Sequence, residues 1–197
     1  MRKRKVLTAL FAGVTTVLVL AVALVLAWKF GYTALRKAAY PLKYEDIVYR
    51  CAEEYELPPS LVFAVIHTES KFDPQAHSSA GAKGLMQLVD DTYEWVQNRL
   101  TDDPQPLDKI FEPEANIRCG CRLLQYLMQR FDDPQTALAA YNAGVGNVSK
   151  WLGDVQYSGD GITLKDIPYT ETKHYVERVV KAQQAYQEIY NTDGEES

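Results

Sequence analysis

Apolar positions divide the chain into one unbroken run followed by a series of periodic segments. Val6 to Trp28 holds no charged residue, and at ~1.5 Å per residue these 23 residues reach about 34 Å, enough to cross a hydrocarbon core of about 30 Å. Arg2 to Lys5 precede the run, and Trp28 and Tyr32 follow it as interface aromatics. A cleaved signal peptide has a shorter apolar region of about 7–15 residues and a small-residue cleavage site. Here the run is longer and ends in Ala-Trp-Lys-Phe. The pattern therefore predicts a basic segment over 1–5, an uncleaved transmembrane signal anchor over 6–28, and a juxtamembrane linker or short helix over 29–43 closed by Pro41.

Beyond this point the apolar residues recur at helical spacing. Tyr44 to Tyr55 places Ile47, Val48, Cys51, Ala52 and Tyr55 on one side. Pro58-Pro59 ends that segment and opens the next, since proline suits a first helical turn. In the next helix Val62, Val65 and Ile66 form a stripe that Glu69 continues, until Asp73-Pro74 breaks it after Phe72. Residues 73–83 read as a loop of small side chains, Gly84 to Gln97 as a helical segment or pair of segments, and Thr101 to Pro113 as a surface loop. Ala115 to Phe131 is a strong helix carrying Ile117, Cys121, Leu124, Leu127 and Met128 on its apolar face. Asp133-Pro134 reads as an N-cap followed by proline at the first position. The helix it starts, Gln135 to Tyr141, is small and apolar enough to be central and buried, and it stops at Asn142-Ala143-Gly144-Val145-Gly146. A short helix over Val148 to Leu152, a glycine-rich loop over Gly153 to Leu164, a final amphipathic helix through Tyr175, Val179, Tyr186 and Ile189, and a polar tail over 191–197 complete the chain. No alternating strand pattern of useful length occurs, so the domain over 44–190 is expected to be all-α.

Charge is unevenly placed. Residues 1–40 carry +7 and no acidic residue, which leaves −12 for residues 41–197 of a chain whose formal total is −5. So acidic a domain lacks the basic footprint that nucleic acid requires. Cys119 and Cys121, two apart on a helix, point to different sides and should not pair with each other. A bridge from Cys51 to either stays open, and burial as small apolar residues is the simpler expectation. His67, His77 and His174 are scattered and form no metal or nucleophile constellation. Neither a metal nor another cofactor is implied.

Glu69 changes the picture, because a carboxylate on an apolar stripe is costly unless it is neutral or paired. Desolvation and the negative end of its own helix both favour the protonated form, which is what general-acid cleavage of a glycosidic bond needs. A plain ion pair with Lys71 or Lys83 is the alternative. Ser78 sits in the small-residue loop, and Gln87 is a polar amide after an apolar triplet. Tyr141 and Asn142 end the buried helix beside glycines, and Tyr169 and Glu171 precede the last one. Each has an ordinary reading as a turn, cap or surface residue. No second catalytic carboxylate is obvious, Asp73, Asp90, Asp91 and Glu171 being the candidates.

Taken in order, Glu69-Ser70, Gly84-Leu85-Met86-Gln87, Ala140-Tyr141-Asn142-Ala143-Gly144, and Ile167-Pro168-Tyr169-Thr170-Glu171-Thr172 with Tyr175-Val176 resemble the motifs of the soluble lytic transglycosylases. The catalytic domain of that family is similar to goose-type lysozyme. The resemblance implies a single lysozyme-like catalytic domain behind the transmembrane helix, acting on peptidoglycan glycan strands. Glu69 would be the catalytic acid and then base, cutting between N-acetylmuramic acid and N-acetylglucosamine with no water and leaving a 1,6-anhydro end. Ser78, Gln87, Tyr141 and Asn142 would line the sugar cleft, with Tyr169 and Glu171 on the opposite wall, and Ser70 would support the local backbone. One acid suffices where the substrate's own N-acetyl group stabilises the cationic centre. The chain would be a single-pass membrane protein with its catalytic domain outside the cytoplasm. A muramidase, and a non-catalytic cell-wall binding or assembly component, are the competing readings. One departure stands out: Asp90 occupies the position of a proline usual in the family after Met86-Gln87, which puts the local helix start in question.

Overall fold

The computed structural model describes residues 2–191, with side chains from residue 18 onward, and divides the chain between Pro41 and Leu42 into two units. Of the predicted polar tail, residues 192–197 lie outside the described residues. The first unit is a single helix, α1 (Arg2–Ala39). Its stretch Leu18–Ala39, with a mean hydropathy of 1.9, is long and apolar enough to cross a membrane, and its large apolar side chains from Leu18 to Leu35 are exposed. The helix runs unbroken through residues 29–39, where the pattern predicts a linker or short helix. Ala, Leu, Arg and Lys there are strong helix formers, and the first proline is Pro41.

The second unit is built from α2 (Glu45–Glu54), α3 (Pro59–Ser70), α4 (Asp90–Leu100), α5 (Pro113–Arg130), α6 (Pro134–Ala143), α7 (Val145–Leu152) and α8 (Thr170–Tyr190), with a 3₁₀ turn at Leu107–Lys109. Among the described residues there is no strand, only bridges joining His77 to Lys83 and Lys83 to Leu88. Helix α3 is buried on every side from Ser60 to Ile66 rather than along one stripe, because it runs through the centre against α2 and α8. Phe63 stacks on Tyr186 of α8 with ring centroids 5.4 Å apart, and meets Tyr49 of α2 edge-on at 5.7 Å. Beyond Ile66 the last turn of α3, His67 to Ser70, is half-buried and approaches the surface. Helix α6 is buried from Thr136 to Ala140, and its N-terminus is capped by Asp133, whose carboxylate accepts from Thr136 N at 2.8 Å. All three cysteines are buried free thiols, so the bridge left open for Cys51 does not form.

The segment Gly84–Gln97 departs from expectation. Residues 84–89 form a tight turn, and α4 begins only at Asp90. Gly84 (φ +75°) and Gln87 (φ +50°) are left-handed, which a helix does not accommodate in succession, and Lys83 and Leu88 exchange backbone N–H···O bonds of 2.9 and 3.0 Å across the turn. The turn is tied to α5 by Asn116, which is wholly buried. Asn116 Oδ1 accepts from Met86 N at 2.7 Å, and its Nδ2 donates to Ile110 O at 2.7 Å and Lys83 O at 3.1 Å. The fit is close: a Cβ on Gly84 would collide with the Asn116 amide, and one on Gly120 would overlap Met86.

Asn116→Ala strands an amide and two carbonyls in the interior. It is expected to cost about 3 kcal/mol and to lower the thermal midpoint of the second unit by on the order of 10 °C, measurable by circular dichroism. An unchanged midpoint would mean that the turn does not depend on this side chain.

Candidate active site

The four motifs meet at one cavity of about 450 Å³, whose lining includes Glu69, Ser78, Gln87, Tyr141, Asn142 and Glu171. Leu88, Val89 and Leu123 supply apolar wall. Of the catalytic and cleft residues expected from sequence, Tyr169 alone does not line it. Its ring packs edge-on against Trp151 at 4.9 Å, and the residue is 51% exposed just before α8.

Glu69 reaches the cavity because it lies in the last turn of α3, where the central helix emerges from the core. Burial pushes its pKa up from 4.5 to about 7, against the opposing pull of the Tyr175 hydroxyl and the more distant charge of Arg178. The lysines that offered an ordinary ion pair are engaged elsewhere: Lys83 holds Asp90 at 2.6 and 2.8 Å, and Lys71 Nζ lies 3.4 Å from His67 Nδ1. Ser70, the neighbour of Glu69, fixes this helix end to the turn. Its hydroxyl donates to Leu85 O at 2.8 Å and accepts from Phe72 N at 3.2 Å.

The other side chains are held from behind. Tyr141 donates to Met86 O at 2.9 Å, tying α6 to the same turn. Gln87 spends its amide nitrogen on Gly84 O and Ala76 O, at 2.9 and 3.1 Å. That bracing leaves Oε1 as the end of the amide available as an acceptor. Asn142 Oδ1 accepts from Thr172 Oγ1 at 2.8 Å, joining α6 to α8 and leaving its amide N–H groups as donors. Ser78 both lines the cavity and closes the loop, its hydroxyl accepting from Ala82 N at 3.0 Å. Glu171 is exposed in the first turn of α8. Of the other candidate second acids, Asp73 caps Gln75 N at 2.9 Å and Asp90 is paired with Lys83.

One residue of the site was missed by the sequence reading. Tyr175 appears there only as part of a motif and as an apolar position of the last helix. It is 2% exposed, its buried hydroxyl has no hydrogen-bond partner among the described residues though it lies near enough to Glu69 to pull that carboxyl's pKa down, and its ring stacks on Tyr141 with centroids 6.4 Å apart and planes 4° from parallel. The available signal was the phenol itself, since a tyrosine on a buried stripe needs something for its hydroxyl to address.

Known proteins resemble this chain in both sequence and fold. The family model of the transglycosylase SLT domain matches residues 46–162. The soluble lytic murein transglycosylase of Escherichia coli K12 is 34% identical over 157 residues, covering 78% of this chain and 24% of that protein. A membrane-bound lytic murein transglycosylase C from Serratia proteamaculans is 30% identical over 167 residues, covering 73% of this chain and 46% of that protein. The solved structure of an inactive Glu-to-Gln variant of the lytic transglycosylase Slt from Pseudomonas aeruginosa superposes with a TM-score of 0.67 at 30% identity, covering 78% of this chain and 25% of that one. The chain thus spans about a quarter of the length of its soluble relatives. On the extent of these matches, this chain belongs to the transglycosylase SLT domain family.

Proposed function

We propose that this chain is a membrane-anchored peptidoglycan lytic transglycosylase. The observation that carries the reading is a single carboxyl, Glu69, shielded enough to titrate near neutrality while facing a cavity lined by amide and hydroxyl groups. An acid with a pKa of about 7 is both a ready donor and, once ionised, a ready acceptor. Protonated Glu69 gives its proton to the oxygen linking N-acetylmuramic acid to N-acetylglucosamine, the C1–O bond breaks, and its electron pair leaves with that oxygen. The muramyl N-acetyl oxygen stabilises the electron-poor C1. The Glu69 carboxylate then takes the proton of the muramyl 6-hydroxyl as O6 bonds to C1, giving the 1,6-anhydro ring and restoring the acid. No water is consumed.

The remaining groups hold the sugars. Asn142 donates from its amide, Gln87 accepts at its carbonyl, and Ser78 and Glu171 face the strand from either side. Tyr169, beside Glu171 in sequence and half exposed against Trp151, extends that wall for a longer strand. Tyr175 orients the Glu69 carboxyl from the buried side. Helix α1 anchors the chain in the cytoplasmic membrane with Arg2 to Lys5 inside and the catalytic unit outside, where the polymer lies; the existence of membrane-bound relatives supports this arrangement. Glu171, in the same cavity as Glu69, is the observation that favours a hydrolytic second reading, with Glu171 activating a water.

Three outcomes are expected. Purified sacculi digested by the wild type yield anhydromuramyl ends by mass spectrometry, and Glu69→Gln lowers turnover by about 10²-fold or more. Reducing muramyl ends would establish the hydrolytic reading, and undiminished turnover in Glu69→Gln would rule out Glu69 as the acid. Because the acid must carry its proton, turnover should fall above about pH 7, approaching tenfold per pH unit; a flat profile between pH 7 and 9 would contradict the assignment. The same shift has a cost in stability. With the native pKa above its unfolded value of 4.5, the native state binds the extra proton between pH 4.5 and 7, so stability declines across that window, by on the order of 3 kcal/mol. Glu69→Gln escapes this loss, and should melt several degrees above the wild type at pH 8 but near it at pH 4.

A further inference from the structure

The catalytic cavity has a counterpart of similar size elsewhere in the second unit. A cavity of about 460 Å³ lies between the end of α2, the loop that follows α4, and α5, and it shares no residue with the lining of the first. Helix α5 contributes one stripe to it, Arg118, Arg122, Gln125 and Gln129, which at ~1.5 Å per residue runs for about 16 Å. Leu123, the α5 residue at the catalytic cavity, is set about a third of a turn away from that stripe. The two cavities are therefore separate sites on different sides of one helix, not two ends of one cleft.

The side chains of this second cavity are positioned yet not used up. Arg118 donates from Nε to the Tyr55 hydroxyl at 3.2 Å and from Nη2 to Glu54 at 2.6 Å. Arg122 donates from Nε to Leu100 O at 2.6 Å and from Nη1 to Gln125 Oε1. A guanidinium carries five N–H donors, so each arginine is fixed in place with donors left over. Asp102 and Gln129 make no side-chain hydrogen bond or ion pair among the described residues.

Resting on the function proposed above, we infer that this second cavity binds a neighbouring glycan strand of the peptidoglycan network without cutting it. Three observations select the ligand. The lining mixes both signs, Glu54, Asp102 and Asp103 against Arg118 and Arg122, so a strongly charged ligand of either sign meets repulsion while a neutral one rich in donors and acceptors does not. Leu100 alone is aliphatic among the described lining residues, which leaves no pocket for the apolar side chains by which an extended peptide is read. Amides and carboxylates are also what the catalytic cavity presents, in Gln87, Asn142, Glu69 and Glu171, and both suit a sugar with hydroxyl and N-acetyl groups on all sides. The three carboxylates of the second cavity are exposed. None is shielded as Glu69 is, so the site holds a strand and leaves it intact. In a network polymer, holding one strand raises the effective concentration of the next at Glu69.

The test uses the full chain in detergent and the double variant Asp102→Ala/Gln129→Ala, whose side chains carry no internal bond and can be removed without unfolding the unit. On sacculi the variant is expected to raise KM about 10-fold, with kcat within about twofold. On a soluble muramyl tetrasaccharide, which is linked to no second strand, neither should change. Titration of Glu69→Gln with the linear tetramer of N-acetylglucosamine should give two equivalents bound, falling to one when Asp102→Ala/Gln129→Ala is added. One equivalent in Glu69→Gln itself, or a KM that rises equally on both substrates, would overturn the proposal. A second cavity that takes a free stem peptide in place of the tetramer would overturn it in favour of a peptide site. The titration needs no turnover, so two equivalents bound without anhydromuramyl ends from sacculi would leave the second site standing while the proposed function fell.

Discussion

The hydrogen bonds that converge on the turn from Lys83 to Gln87 are the constraint on which the second unit depends. This turn has two left-handed residues and cannot satisfy its own backbone. Ser70 at the end of α3 takes Leu85 O, Asn116 in α5 takes Met86 N and Lys83 O, and Tyr141 in α6 takes Met86 O. Three helices are thus referred to one short stretch of backbone. The side chains beside these anchors in sequence, Glu69, Gln87 and Asn142, inherit fixed positions around one cavity. Moving the turn would leave buried donors and acceptors unmet, at a cost of about 1–3 kcal/mol for each group.

Against this rigid frame the electrostatics of Glu69 are simple. The helix carrying it is the most deeply buried of the unit, so its last turn delivers a carboxyl to a place with little solvent. Desolvation raises the pKa, and Tyr175 and Arg178 keep the rise moderate. On the proposed function this is a stability cost retained for chemistry, a common relation between active sites and the folds that hold them. The Lys83–Asp90 pair belongs to the same economy. Asp90 stands at the first position of α4, where its charge favours the helix N-terminus, and its two contacts to Lys83 brace the turn. The resemblance leads one to expect a proline here, whose restricted φ would set the helix start. Here an acidic first residue and an ion pair do that work, so the departure from the family pattern leaves the helix start intact.

Much of this was legible in the chain. Asp133-Pro134 announces α6, and the small apolar run that follows announces its burial, because both signals are local and act on the residues that carry them. Other features were not. Helix α3 is surrounded rather than one-sided, and no stripe count reveals that α8 will cover its remaining face. Gln87 reads as a polar residue on a helical segment, but its backbone is left-handed and its amide bonds both Gly84 O and the more distant Ala76 O, a contact that only the folded loop supplies. Tyr175 and Asn116 read as ordinary members of amphipathic helices, since what distinguishes them is the distant group each one meets.

The sequence by itself determined most of the helices and their ends, the apolar run able to span a bilayer and the carboxyl proposed as the acid. These depend on periodicity, capping and composition, which act over a few residues at a time. The tertiary structure alone decided that Glu69 is shielded enough to titrate near pH 7, that Tyr169 stays outside the cavity while Tyr175 stands behind the acid, and that a second cavity forms on another side of α5. Each of these follows from desolvation or from contact between residues far apart in the chain. Such effects arise only when helices distant in sequence close on one another and exclude water.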